Sequence, residues 1–472
     1  MLFSQNHFIP VIPELFLLGM VCIILIQGLF FKKTAYFLSQ LTLLLLACLT
    51  IKLSYLPTTY AFNHMFVLDK VASLSKLFIY LMTSFAFWLA RRYNDERKIA
   101  ENEYIVLGLF SVLGMMIMVS ASNFLSLFLG IELLSLPLYA MVAMHRTSAI
   151  ASEAAMKYFI MGSLASGLFL YGLSLLYGAT GTLNLQDIIH LTQTTNKLLL
   201  SFSLIFIIAS LCFKLGVAPF HFWAPDVYEG APTSTVLFLS AAPKIAVFVI
   251  TFRILGNAFL HLYNDWQGII ITVAILSMAI GNIIAIAQSN LKRMLAYSSI
   301  AHMGYMSLGI IAATPNGFSA SFFYVTAYAL MSITALGTLI LMSQKGKELD
   351  HFNDLRGLNI RNPWLAFMML IVMFSMAGIP VSIGFFAKLG VLQALITQNM
   401  IGLAALALIF SIIGAYYYLR VVKIMYFDKP EEKSPIIISK DLQLILSITG
   451  LLILGLGIFP NALLELCRYV FI

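Results

Sequence analysis

Runs of about twenty apolar residues, separated by short polar stretches, recur along the whole of the 472-residue chain. A helix needs roughly 20 apolar residues to cross about 30 Å of hydrocarbon, so each run is long enough to span a membrane. About fourteen such spans can be drawn, at 9–31, 35–55, 69–90, 104–121, 123–144, 153–177, 199–222, 233–253, 267–288, 291–312, 319–343, 364–397, 399–420 and 441–461. The punctuation is short except at 91–103, 178–197, 344–363 and 421–440, and 344–363 is too polar to cross. No stretch suits a soluble domain or a long linker. The pattern predicts an all-α polytopic membrane protein of about 14 transmembrane helices, one integral membrane domain over 1–472.

Composition agrees: 61% of residues are hydrophobic and 10% charged, against about 25% charged in a soluble domain. The net charge of +8 does not point to nucleic acid, because no basic cluster is interleaved with polar surface residues. It is a property of the loops. Eighteen of the 28 lysines and arginines follow odd-numbered spans, six lie on the other face (Lys52, Lys70, Lys76, Lys197, Arg253 and Arg468), and four fall within spans. The bias puts the odd-to-even loops in the cytoplasm and both termini on the periplasmic face. The first span lacks a basic lead and a cleavage site, so it is expected to be retained in a bacterial inner membrane. Cys22, Cys48, Cys212 and Cys467 form no CxxC and read as small buried hydrophobes rather than metal ligands. There is no GxGxxG or P-loop, hence no nucleotide site.

The chemistry lies in the charges within spans. Phe213–Phe248 places Lys214 and Lys244 in apolar segments with Gly216 and Pro219 between them. A charge near the bilayer centre costs at least about 2.5–3.5 kcal/mol, so such residues are functional candidates. Helix breakers free backbone groups that hydrocarbon cannot satisfy, which implies a protein-lined or wet cavity. Glu132, mid-span and followed by Pro137, is the expected partner of Lys214. Burial disfavours both charges and proximity favours them, so such a pair can be poised between states; the bland alternative is a structural ion pair. Lys244 follows Pro243 with no carboxylate on its own helix, and can pass through its neutral form. Lys388 repeats the theme in the twelfth span, which Gly378, Pro380 and Gly384 interrupt into two half-helices.

Weaker candidates follow. Glu153 and Lys157 are spaced i, i+4, so a salt bridge explains them as well as a function does. His302, beside Ser298, Ser299 and Tyr305, can hand protons between Lys244 and Lys388 or be a satisfied core histidine. His221 stands similarly, and Asp226 and Glu229 form either a cytoplasmic mouth or a solvated turn.

Four stretches carry a family resemblance: FHFWAPDVYEGAPT (220–233), KYFIMGSLASGLFLYGLSLLYGATGTLNL (157–185), NLKRMLAYSSIAHMGYM (290–306) and AGIPVSIGFFAK (377–388). Together they resemble the N-type subunits of respiratory NADH:quinone oxidoreductase, complex I. Those subunits are similar to the other antiporter-like membrane subunits of that enzyme and to multisubunit Na⁺/H⁺ antiporters. The likeness runs from the fourth span to the thirteenth. It implies helices 1–3 over 1–103, inverted five-helix repeats over 104–253 (helices 4–8) and 267–420 (helices 9–13), helix 14 at 441–461, and broken helices 7 and 12. The family's functional residues fall on Glu132, Lys214, Lys244 and Lys388. Ser234 departs from the pattern, which usually continues APT with a proline.

The resemblance implies a non-redox subunit that translocates protons through a Glu/Lys relay, driven by NADH oxidation and quinone reduction elsewhere. It implies no cofactor in this chain, with NAD, FMN, iron–sulfur clusters and quinone in other subunits. The expected partners are an antiporter-like M subunit, small K- and J-type subunits and the lipid bilayer. The rival expectations are a subunit of a Na⁺/H⁺ antiporter complex and a passive membrane scaffold.

Overall fold

Helix is the only way a long apolar run can satisfy its own backbone in lipid, and the chain is built almost wholly of helices. The structure, a computed structural model, describes residues 8–31, 33–191, 197–343, 346–430, 434–436 and 438–471. In order come α1 (Ile12–Phe30), α2 (Ala35–Leu53), the hairpin β1 (Thr59–Ala61) and β2 (Phe66–Leu68), α3 (Lys70–Glu96), α4 (Glu101–Ser120) and α5 (Phe124–Val142). Next are α6 (Ala149–Thr180), α7 (Leu185–Leu191), α8 (Lys197–Leu215), α9 (Trp223–Gly230) and α10 (Thr233–Thr251), which runs into a π-helical turn at Phe252–Ala258. The remainder is α11 (Tyr263–Ala287), α12 (Leu291–Ile311), α13 (Pro315–Met342), α14 (Leu358–Arg361), α15 (Pro363–Ala377), α16 (Ile383–Thr397), α17 (Ile401–Phe427), α18 (Lys440–Ile458) and α19 (Asn461–Phe471).

Among the described residues, twelve helices are long and apolar enough to cross a membrane. Helix α12 and the α15–α16 pair coincide with the other two spans expected from the sequence. The boundaries follow local chemistry. Asn123, Ser148, Asn290, Thr314 and Asn362 each accept a backbone N–H at the start of α5, α6, α12, α13 and α15. Pro315 and Pro363 sit at first helical positions, where no N–H is needed.

Contacts divide the chain into two units. The first comprises Met1–Ser84, Ala100–Leu215 and Ala242–Ile269. In it α4 packs on α5, α6 packs on α8, and α1 packs on α2 and α4. Gly114 and Gly130 let the α4 and α5 backbones meet, since a Cβ at either position would strike the facing main chain. The second comprises Phe85–Ile99, Gly216–Ala241 and Ile270–Ile472. It is organised around α13, buried from Gly317 to Met342 and packed against α12, α15, α16, α18 and α19.

Three sequence expectations are corrected. Lys76 and Arg253 are not loop residues but lie buried, at 0% and 6% exposure. Lys76 belongs to α3, and Arg253 to the π turn, where its guanidinium binds both Asp69 oxygens at 2.9 Å and the Val119 carbonyl. Position relative to a polar loop suggested exposure, whereas packing decides it. Cys22 and Cys48 are exposed in the chain taken alone, and only Cys212 and Cys467 are buried.

Candidate proton-handling sites at two helix breaks

The break after α8 is set by Gly216, whose φ of 71° is one that side-chain-bearing residues avoid. The helix ends at Leu215 and leaves its last carbonyls without partners in the helix. Lys214 stands in that last turn, where the helix dipole favours a cation. Its ammonium donates to Ser135 Oγ at 2.8 Å. Glu132 lies three residues before Ser135 on the same face of α5, and its carboxylate accepts from the Ser166 hydroxyl of α6. The carboxylate acts electrostatically on Lys214, but the ammonium's direct partner is a serine. The expected pair is therefore spaced by hydroxyls.

Lys244 joins the same helix end. It is 3% exposed, and its Nζ lies 2.5 Å from the carbonyl oxygen of Leu215, which it caps. The break thus gathers Lys214, Glu132 and Lys244 within one unit.

In the second unit the break falls between α15 and α16. Gly378 (φ 86°) and Val381 (φ 74°) turn the chain, and Gly384 lets the second half-helix close on the Ser375 carbonyl. Lys388 reaches back to the freed carbonyl of Ala377 at 2.9 Å and to Ser411 Oγ at 2.9 Å, with the Tyr305 ring 5.1 Å away. His302 is 2% exposed and sits in hydroxyls: Nδ1 meets Tyr324 at 2.7 Å and Nε2 meets Tyr418 at 3.0 Å. Lys388 acts on it electrostatically. Around them Tyr417 donates to Asn282, which donates to Tyr305.

The other candidates fall elsewhere. Lys157 is 45% exposed and forms a 2.8 Å salt bridge with Glu153 on the α6 surface. Asp226 and Glu229 each bind Arg293 at 2.8 Å, tying α9 to α12. Within the described residues no group of three or more His, Cys, Asp or Glu could hold a metal.

Sequence reading missed Glu348. This loop residue accepts from Tyr93 at 2.9 Å, Arg97 at 2.8 Å and the Thr233 hydroxyl, with Lys292 3.4 Å away. Thr233 opens α10, and its N–H donates to Tyr93. Burial pushes the Glu348 carboxyl up, but Lys292 and Arg97 outweigh this and hold it below the usual carboxylate range. Nothing in its polar loop distinguishes it in the sequence.

Each unit therefore holds a helix end whose last carbonyl is met by a lysine ammonium within an apolar span, the architecture of a transport-type membrane protein. Residues 121–415 match the family described as NADH:quinone oxidoreductase/Mrp antiporter, TM. The relative from Thioalkalivibrio sulfidiphilus named NADH-quinone oxidoreductase subunit N is 52% identical, over 99% of this chain and 98% of its own length. The Coxiella burnetii protein of the same name is 52% identical over 98% and 99%. A chain in the solved structure of respiratory complex I from Thermus thermophilus with bound aureothin is 30% identical. Its TM-score is 0.84, over 97% of this chain and 99% of that one. The chain belongs to the subunit N family of NADH-quinone oxidoreductases, and is a multi-pass membrane protein.

Proposed function

We propose that this chain is a proton-translocating module in the membrane arm of a bacterial NADH:quinone oxidoreductase. Redox free energy reaches it through neighbouring M-type and small K- and J-type subunits, while NAD, FMN, iron–sulfur clusters and quinone are bound elsewhere. That drive shifts Glu132 relative to Lys214. The Lys214 proton then passes by way of Lys244 and His302 to Lys388, which releases it, and two inverted repeats, 104–253 and 267–420, carry the two halves of the path. Both termini lie in the periplasm. Moving one charge against the potential costs about 2.3 kcal/mol per 100 mV, so an external drive is needed.

The observation that carries this reading is the contact of Lys244 with the Leu215 carbonyl, beside Lys214 and the hydroxyl-spaced Glu132. Carbonyl and serine oxygens accept from an ammonium and equally from a neutral amine, so either protonation state is accommodated. A family shared with Mrp antiporters also supports a second reading, cation/proton exchange without redox drive.

Membrane vesicles carrying Lys214→Met separate the two. With the complex assembled, NADH-driven quinone reduction and ΔpH fall together if the relay is redox-coupled, and both stay normal if it is wrong. Deleting the whole chain abolishes NADH-driven ΔpH on the first reading. On the second it leaves NADH oxidation intact and produces salt or alkali sensitivity.

A further inference from the structure

Away from both helix breaks, the first unit buries another acid and base in contact. Glu14, in the first turn of α1, lies 2.6 Å from the Lys76 ammonium of α3, with side chains 5% and 1% exposed. The Phe66 ring covers Lys76 at 5.0 Å. An ammonium offers three donors and a carboxylate about four acceptor positions. Beyond the mutual contact, neither Glu14 oxygen nor Lys76 Nζ has a hydrogen-bond partner among the described residues.

Their surroundings are polar in the same unfinished way. Ser73, Lys76, Tyr80 and Thr83 follow one another at helical spacing on a buried face of α3. Among the described residues the hydroxyls of Ser73 and Thr83 have no hydrogen-bond partner either, Glu14 acts electrostatically on Tyr80, and Thr50 of α2 donates to Tyr80 at 3.4 Å. Next along α3, Ser84 and Gln40 bond each other. From Ser73 to Ser84 the stripe rises about 17 Å along the helix. Several buried polar atoms along one helix face are left without a protein partner, and bound water commonly satisfies such groups.

We propose that Glu14 and Lys76, with the water held by Ser73, Tyr80 and Thr83, form a second proton-exchange site. The step is balanced within the pair. A Lys76 N–H bond breaks and a Glu14 O–H bond forms, turning ammonium and carboxylate into amine and carboxylic acid with no change in net charge. Glu14 then gives that proton to one water and Lys76 takes another from a second, which restores the ion pair and moves one proton. The inference rests on the proton-translocating reading of the chain.

The test uses the whole complex in vesicles. Removing one partner strands a buried charge, so single variants lose assembly on any reading. The informative variants are the doubly neutral Glu14→Gln/Lys76→Met and the exchanged Glu14→Lys/Lys76→Glu. A proton-exchange site predicts parental complex content but a ΔpH per NADH oxidised reduced about two-fold in the neutral variant, recovering in the exchanged one. A parental ratio in the neutral variant overturns the proposal, as does loss of assembly in both variants, which leaves a structural pin. Lys214→Met serves as the control. If it lowers ΔpH while the pair variants do not, only this inference fails. If it too is without effect, the pumping reading has failed.

Discussion

The two helix breaks solve one problem with different charges. At each, a glycine at positive φ ends a helix and a lysine ammonium meets the last carbonyl, Lys244 on Leu215 in one unit and Lys388 on Ala377 in the other. The first break adds an acid: Glu132, held by the Ser166 hydroxyl, acts electrostatically on Lys214, held by Ser135. At the second, the direct partners of Lys388 are a carbonyl and a serine, and its nearby ionisable group is His302. A lysine with a carboxylate in reach can be switched by moving the carboxylate. One held by dipoles alone responds only to the arrival or loss of a proton. In the proposed relay the first break would therefore take the drive and the second the transfer and release.

The contrast breaks most visibly at Lys388. Lys388→Met removes the ammonium from the Ala377 carbonyl and with it the proposed proton carrier, and is expected to lower NADH-driven ΔpH about ten-fold or more. Glu132→Gln is expected to act only on the first break, lowering ΔpH a few-fold. Combined with Lys214→Met it should add nothing beyond Lys214→Met alone, because the two share one interaction. Equal, additive effects would dissolve the distinction. Ser135→Ala and Ser411→Ala each remove one neutral hydrogen-bond partner, worth about 0.5–1.5 kcal/mol. Vesicle ΔpH should stay within about ten-fold of the parent in both.

The smallest effect is expected away from both breaks, at Glu348. Its carboxyl is held below its ordinary range, so the stability it contributes is present above about pH 4.3 and lost as pH falls through the lower folded value. Protease sensitivity of the segment 346–357 should rise only in that acid window, and Glu348→Gln should show the raised sensitivity already at neutral pH.

How much was legible in the sequence follows from what is rare in a membrane span. Gly216, Pro219, Gly378 and Pro380 announce the breaks because no other residues interrupt an apolar run so plainly. Lys214, Lys244, Lys388 and Glu132 stand out because a charge in hydrocarbon needs a reason. Their partners did not. Ser135, Ser166 and Ser411 are common helix residues, and the carbonyls of Leu215 and Ala377 carry no side-chain signature. Lys76 was misread as peripheral because it lies six residues into α3, beside a polar loop. Only the packing of α1 against it reveals the burial. Lys157 illustrates the converse, an i, i+4 spacing that the fold leaves on an exposed surface.

The measurement that bears most directly on the mechanism is NADH-driven quinone reduction and ΔpH in vesicles carrying Lys244→Met. The variant removes the ammonium from the Leu215 carbonyl while leaving Lys214 and Glu132 in place. A relay through the broken helix predicts an assembled complex in which both rates fall together. Parental ΔpH in an assembled Lys244→Met complex would contradict it.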